Sequence, residues 1–108
     1  LDETIRRLKA YAEAGADCLY APGIREIGQI EAIVKAVAPR PVNVLAVPSL
    51  SVTDLARAGV RRISVGGALA RTAWTGFLAA AREIAQQGTF TAIGRAATGA
   101  EVNALFDE

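Results

Sequence analysis

The strongest constraint on the fold of this chain is a repeat in which helical and strand-like segments alternate. Apolar residues recur every three or four positions, the pattern of amphipathic helices, over residues 1–14, 24–37, 52–58 and 68–87. Short apolar runs bounded by glycine or proline, typical of buried strands, occupy residues 17–21, 42–47 and 60–65. The predicted order is therefore α-β-α-β-α-β-α, followed by a tail.

Strands that alternate with helices predict parallel pairing and an α/β fold. The units are about 20 to 25 residues long, which is compact beside the roughly 30 residues per unit of a (β/α)₈ TIM barrel. An open doubly wound sheet is the other arrangement that such units form. We predict one partial domain, with βα units over residues 1–88 and a tail with a short helix over residues 89–108.

Side chains that cap helices mark several predicted ends. Asp2 is placed to cap the first helix, with Thr4 as a second candidate. Ser51 is placed to cap the short third helix, and Thr98 a last short helix near the end of the tail. The chain begins at Leu1, already within a helical pattern, and no signal peptide is visible. We therefore expect it to be a piece of a longer protein.

Composition excludes several functional classes. With 12 basic and 11 acidic residues the net charge is +1, which gives no reason to expect nucleic acid or a membrane as a partner. The absence of histidine excludes a Ser-His-Asp triad, a Cys-His pair and a histidine-ligated zinc site within these 108 residues. Cys18 alone forms no internal disulfide, which suits a reducing compartment, and we expect a cytoplasmic protein. We interpret Cys18 as a small buried hydrophobe.

Strand alternation predicts one apolar and one polar face for the sheet. Val42 and Val44 share one face, whereas Asn43, Arg62 and Ser64 share the other. Parallel sheets are ordinarily apolar on both faces. A polar inner face fits a barrel lumen whose residues build or support a site. The alternative is that Arg62 only plugs the bottom of a barrel or pairs with a carboxylate.

Candidate substrate-binding residues follow from the rule that barrel sites lie at the C-terminal ends of strands. Gly66 and Gly67 lead into a helix whose free N–H groups would hold a carboxylate or a phosphate, or they simply allow a tight turn. Arg25 follows the first strand and would bind an anionic substrate, unless it is a solvated helix residue. Asn43 and Ser64 would hydrogen-bond substrate from the lumen.

Two aromatic residues on the last long helix indicate a contact surface. Trp74 and Phe77 lie three positions apart and so share one side of that helix. They are either ordinary core or the apolar face of an interface, and we favour the interface.

Three segments carry a resemblance to a known family: residues 14–23, 40–46 and 59–70. Together they resemble the isocitrate lyase/phosphoenolpyruvate mutase superfamily, and most of all its phosphonomutase-like and methylisocitrate-lyase-like bacterial branch. The similarity covers essentially the whole chain. Methylisocitrate lyases carry glutamate about where Pro22 stands and asparagine nearer Leu45 than Asn43, so the resemblance leaves the substrate open.

The resemblance implies that this chain is the C-terminal part of a (β/α)₈ barrel, with strands six, seven and eight. It implies an Mg²⁺-dependent enzyme that makes or breaks a C–C or P–C bond beside a carboxylate, through an enolate. The metal ligands and catalytic residues would lie outside these 108 residues, so we assign none here and expect the chain alone to be inactive. It also implies a homo-oligomer formed through the last long helix.

Two alternatives stay open at this point. In the first, the chain is a non-catalytic assembly module. Three strands leave two open sheet edges, and open edges favour association with another chain. In the second, it belongs to a different TIM-barrel enzyme that binds a phosphate at Gly66 and Gly67.

Overall fold

The computed structural model describes residues 1–107. Its helices and strands alternate in the predicted order: α1 (Asp2–Glu13), β1 (Leu19–Tyr20), α2 (Ile27–Val37), β2 (Val42–Leu45), α3 (Val52–Arg57), β3 (Arg62–Ser64) and α4 (Ala68–Gln87). A 3₁₀ turn (Ile93–Arg95) and a short helix α5 (Gly99–Ala104) follow. The chain divides into two compact units, Leu1–Gly66 and Gly67–Glu108.

The first unit is built on a parallel three-stranded sheet in the order β1-β2-β3, which confirms the predicted α/β class. Leu19 is paired in register with Val42, and Tyr20 with Asn43. On the other side of β2, Asn43 is paired with Arg62 and Leu45 with Ser64. Both β1 and β3 are therefore edge strands.

The core of the first unit lies on one face of this sheet. Its buried side chains come from α1, α2, α3, the first two strands and the turn between α3 and β3: Leu8, Leu19, Ile30, Ile33, Val37, Val42, Val44, Leu55, Ala58 and Val60. Helix α1 packs against α2 and β1, and α2 packs against β2. The helices thus cover the face that carries Val42 and Val44, as the alternation predicts.

Several local predictions differ from the structure. Asp2 and Thr4 both lie inside α1, whose N-cap is Leu1, so both predicted caps were wrong. Helix α2 begins at Ile27 rather than near residue 24, because Gly23 has a φ of +97° and Glu26 is still extended. The prediction that Cys18 is buried was also wrong: it is exposed and lies just before β1. All three strands are shorter than predicted.

The second unit consists of α4 and the tail that folds back on it. Helix α4 has the predicted bounds and ends at Gly88, whose φ of +67° is left-handed. Glu83 of α4 accepts hydrogen bonds from Thr89 Oγ1 (2.6 Å) and from the backbone N–H groups of Thr91 (2.6 Å) and Ala92 (2.8 Å). These donors lower the pKa of Glu83 to about 2. The predicted cap of α5 is confirmed, since Thr98 forms a capping box with Glu101.

The helices of residues 1–107 include none that is both long enough and apolar enough to cross a lipid bilayer.

Candidate functional site

Three polar side chains meet on the face of the sheet that the helices leave open. Nη1 of Arg62 donates a hydrogen bond to Oδ1 of Asn43 (3.1 Å), and Nδ2 of Asn43 donates to Oγ of Ser64 (3.1 Å). The sequence predicted that these residues share a face, and the structure shows that they form one hydrogen-bonded chain. We call these three residues the lumen triad.

Strand register brings the lumen triad together. Arg62 is the register partner of Asn43 across the β2–β3 ladder, and Ser64 follows Arg62 by two residues, on the same side of β3. Cross-strand partners on one face lie close enough for their side chains to interact. The hydrogen bonds therefore follow from the pairing of β2 with β3.

Asn43 is the buried member of the triad, with only 3% of its surface exposed. A buried amide is costly unless both of its polar atoms are hydrogen-bonded, and here both are. Ser64 is half-buried, and Arg62 is exposed. The triad thus runs from a solvated cation, through a buried amide, to a half-buried hydroxyl.

Gly66 and Gly67 stand where β3 gives way to α4. Gly66 has a φ of +53°, and a methyl group placed on it would lie 3.6 Å from Cδ1 of Leu45. The positive φ explains why glycine stands at this turn. Gly67 is the N-cap of α4 and has no side-chain cap, and a methyl group there would lie 3.3 Å from Nη1 of Arg71. Anion binding at these glycines stays a prediction.

Arg25 lies apart from the lumen triad, in a cleft of about 360 Å³ between the loops that follow β1 and β2. The cleft also holds Glu26, Glu31, Asp54 and Arg57, so its charges are mixed. Arg25 is exposed. Its role as a substrate ligand stays a prediction, and it has no contact that links it to Asn43 or Ser64 among the hydrogen bonds of residues 1–107.

The donor chemistry of the open face does not fit Mg²⁺. Magnesium prefers carboxylate, carbonyl and water oxygens. The triad instead offers a guanidinium, one amide oxygen that already accepts a hydrogen bond from Arg62, and one hydroxyl, and it includes no carboxylate. Within residues 1–107 no three of the histidine, cysteine, aspartate and glutamate side chains come together to hold a metal ion.

Tyr20 is a residue of the open face that the sequence analysis did not single out. It is the register partner of Asn43 on β1, and 41% of its surface is exposed. Its position two residues before Pro22, in alternation with buried Leu19, is the signal that would have found it. Tyr20, Asn43 and Arg62 therefore form one row across the three strands.

Trp74 and Phe77 form an exposed aromatic pair on α4. Their ring centroids are 5.1 Å apart and their planes meet at 89°, the edge-to-face geometry that aromatic pairs favour. The two residues are 57% and 60% exposed, and α4 buries none of its side chains.

Comparisons with known proteins find one family model and two curated relatives that match this chain. A family model described as phosphoenolpyruvate phosphomutase matches residues 1–85. Two curated proteins of Mycobacterium tuberculosis, the uncharacterized proteins MT2054 (strain CDC 1551 / Oshkosh) and Rv1998c (strain ATCC 25618 / H37Rv), are each 38% identical over 63 residues. That alignment spans 58% of this chain and 24% of theirs.

Solved structures share the fold over most of the chain. A Burkholderia cenocepacia J2315 protein provisionally assigned as a lyase/mutase is 49% identical, with a TM-score of 0.88 over 99% of this chain and 39% of its own. Oxaloacetate acetylhydrolase in complex with its product oxalate is 25% identical, with a TM-score of 0.77 over 83% of this chain and 33% of its own. A 2,3-dimethylmalate lyase, 23% identical with a TM-score of 0.75, shares the fold over 83% of this chain and 33% of its own.

Proposed function

Because the chain belongs to the phosphoenolpyruvate phosphomutase family, we propose that it is the C-terminal portion of an Mg²⁺-dependent carbon–carbon lyase or phosphonomutase-like enzyme. The substrate is a small 2-oxo or hydroxy carboxylate, or a phosphonate. The observation that carries this proposal is the lumen triad, which presents hydrogen-bond donors on the open face of a parallel sheet.

The geometry of the sheet supports a partial barrel. The chain spans 39% of the Burkholderia protein and about a quarter of the curated relatives. Its three strands leave two edges, and closing a sheet into a barrel is the arrangement that removes edges altogether. In a closed barrel the face that carries Asn43 would line the interior, where a buried amide with satisfied hydrogen bonds is stable.

In this proposal the lumen triad binds and orients the substrate rather than holding the metal. Mg²⁺, when bound by residues beyond this chain, would stabilise the negative charge of an enolate. Arg62 keeps the Asn43 amide oriented, and that amide in turn holds Ser64. Within residues 1–107 no three of the histidine, cysteine, aspartate and glutamate side chains come together to hold a metal ion, so we expect the chain alone to be inactive.

A small carboxylate is the substrate class that the comparisons support. Oxalate is the bound product in the oxaloacetate acetylhydrolase structure. The triad favours such an anion, because Arg62 carries a positive charge that no carboxylate pairs with within residues 1–107. The ion pairs of these residues join Arg6 and Arg7 to Glu3.

Turnover assays test this proposal. The purified chain is incubated with Mg²⁺ and with oxaloacetate, methylisocitrate or phosphonopyruvate, in parallel with a polypeptide that also carries the residues encoded upstream of Leu1. We expect turnover of one of these substrates by the longer polypeptide and none by the chain alone. Turnover by the chain alone would contradict the proposal, and so would an upstream sequence without a strand that ends in carboxylates.

The exposed aromatic pair supports self-association as a second property of the molecule. Trp74 and Phe77 present large apolar surfaces to solvent on a helix that buries no side chain, and such surfaces mark interfaces. The proposal is a homo-oligomer through α4. Light scattering after size-exclusion chromatography tests it: a mass above the 11.2 kDa of one chain, reduced by Trp74→Ala, is expected, and a folded monomer contradicts it.

A further inference from the structure

The hydrogen bonds of the lumen triad have a fixed direction. A guanidinium only donates hydrogen bonds. The Asn43 atom that lies 3.1 Å from Nη1 of Arg62 must therefore be the acceptor Oδ1. The two ends of an asparagine amide are otherwise hard to tell apart, and here Arg62 decides between them. The remaining atom, Nδ2, is then a donor to Oγ of Ser64.

Ser64 must consequently donate its own hydrogen to another group. Its oxygen already accepts from Asn43, and Nδ2 of Asn43 has no lone pair to receive a hydrogen in return. Within residues 1–107 the Ser64 hydroxyl has no other hydrogen-bond partner. The series of hydrogen bonds from Arg62 through Asn43 to Ser64, which we call the relay, thus ends in a donor. The acceptor of that donor comes from outside these residues.

The position of Ser64 places this donor toward the end of the sheet where barrel sites lie. Ser64 is two residues closer than Arg62 to the C-terminal end of β3. Its register partner is Leu45. Gly66 also lies near Leu45, since a methyl group placed on Gly66 would be 3.6 Å from Cδ1 of Leu45. A half-buried donor beside apolar groups forms stronger hydrogen bonds with an ion than one in bulk water.

Charge selects the kind of acceptor. Arg62 uses Nη1 for Asn43 and takes part in no ion pair within residues 1–107. Its charge and its remaining N–H donors favour an anion near the triad. From the fixed direction of the relay and this charge, we infer that the Ser64 hydroxyl donates a hydrogen bond to a carboxylate oxygen of a small acid, with Arg62 and Asn43 as positioning residues. This inference rests on the proposed function and names a contact in its site.

Binding of oxalate to the 108-residue chain, followed by NMR, tests the inference without any turnover. We expect oxalate to shift the backbone amide signals of Ser64 and Leu45. Ser64→Ala removes the donor and should weaken binding about tenfold, the effect of losing one hydrogen bond to a charged group. Ser64→Thr keeps a hydroxyl and should bind within about twofold of the wild type. Thr53→Ala, which removes an exposed hydroxyl on α3, is the matched control and should leave binding unchanged.

A variant that reverses the direction of the hydrogen bond between Asn43 and Ser64 gives a second test. Aspartate in place of Asn43 only accepts, so Asn43→Asp would turn the Ser64 hydroxyl inward. The added negative charge also repels oxalate, and a double-mutant cycle separates the two effects. Ser64→Ala should cost about tenfold in the wild type and nothing further in the Asn43→Asp background. Equal costs in both backgrounds would overturn the direction of the relay.

The outcomes keep this inference separate from the proposed function. Equal oxalate affinities for the wild type and Ser64→Ala, or no oxalate binding at all, would overturn the inference. Neither result depends on the turnover assays that test the lyase or mutase proposal. Turnover by the chain alone would contradict that proposal and would leave the binding result in place.

Discussion

Nη1 of Arg62 donates a 3.1 Å hydrogen bond to Oδ1 of Asn43, its register partner across β2 and β3. This contact joins an exposed cation to a side chain that is only 3% exposed. It orders the open face of the sheet, because the orientation of the amide determines which atom reaches Ser64.

Asn43→Ala should lower the free energy of unfolding by about 1 to 3 kcal/mol, since it removes two hydrogen bonds from a buried position. Urea denaturation measures the loss. Asn103→Ala, at an exposed position of α5, is the control and should stay within about 0.5 kcal/mol of the wild type. Equal stabilities for the two variants would show that the triad contributes nothing to folding.

Ile33→Ala should lower the free energy of unfolding by about 2 to 5 kcal/mol. Ile33 is a core residue that is 2% exposed, and its truncation leaves a cavity. Val52→Ala removes an apolar side chain that is 71% exposed on α3, and should change stability by less than about 0.5 kcal/mol. The same denaturation experiment compares them. A small effect of Ile33→Ala would argue against the packing of α2 on the sheet.

Ser51→Ala should cost about 1 kcal/mol of stability, since Oγ of Ser51 accepts a hydrogen bond from the Asp54 N–H (3.1 Å) and caps α3. Ser49→Ala changes a nearby exposed serine that caps no helix and should be close to neutral. If both substitutions have the same effect, the cap does not stabilise α3.

The contact between Glu83 and the tail should depend on pH. The donors on Thr89, Thr91 and Ala92 lower the pKa of Glu83 from 4.5 to about 2. A carboxyl with a depressed pKa in the folded state contributes stability that is fully present above pH 4.5 and is lost as the pH falls through about 2. The amide signals of Thr91 and Ala92 should therefore move with a midpoint near pH 2.

Glu83→Gln should remove this titration and leave those two signals insensitive to pH. The side chain of glutamine carries no charge between pH 2 and 7. A midpoint near 4.5 in the wild type would show that the tail donors do not favour the carboxylate.

Sequence patterns predicted the elements with strong local signals. Helix α4 was predicted with its observed bounds because Gly67 precedes it and Gly88, with a left-handed φ, stops it. The caps at Ser51 and Thr98 were predicted for the same kind of reason, since capping depends on residues three positions apart.

Features that depend on distant residues were predicted less well. Alternation predicted that Asn43, Arg62 and Ser64 share a face. It predicted neither the hydrogen bonds between these side chains nor the burial of Asn43. Cys18 was expected to be buried because of its residue type. It is exposed, however, and lies just before β1. The row that Tyr20 forms with Asn43 requires the register of β1, which no local pattern contains.

Hydrogen exchange of the two edge strands measures whether this sheet is part of a closed barrel. Residues 17–21 and 60–65 are compared in the chain alone and in the polypeptide that carries the residues encoded upstream. We expect both segments to exchange more slowly in the longer polypeptide, because new strands pair with β1 and β3. Unchanged exchange at both edges would contradict this expectation.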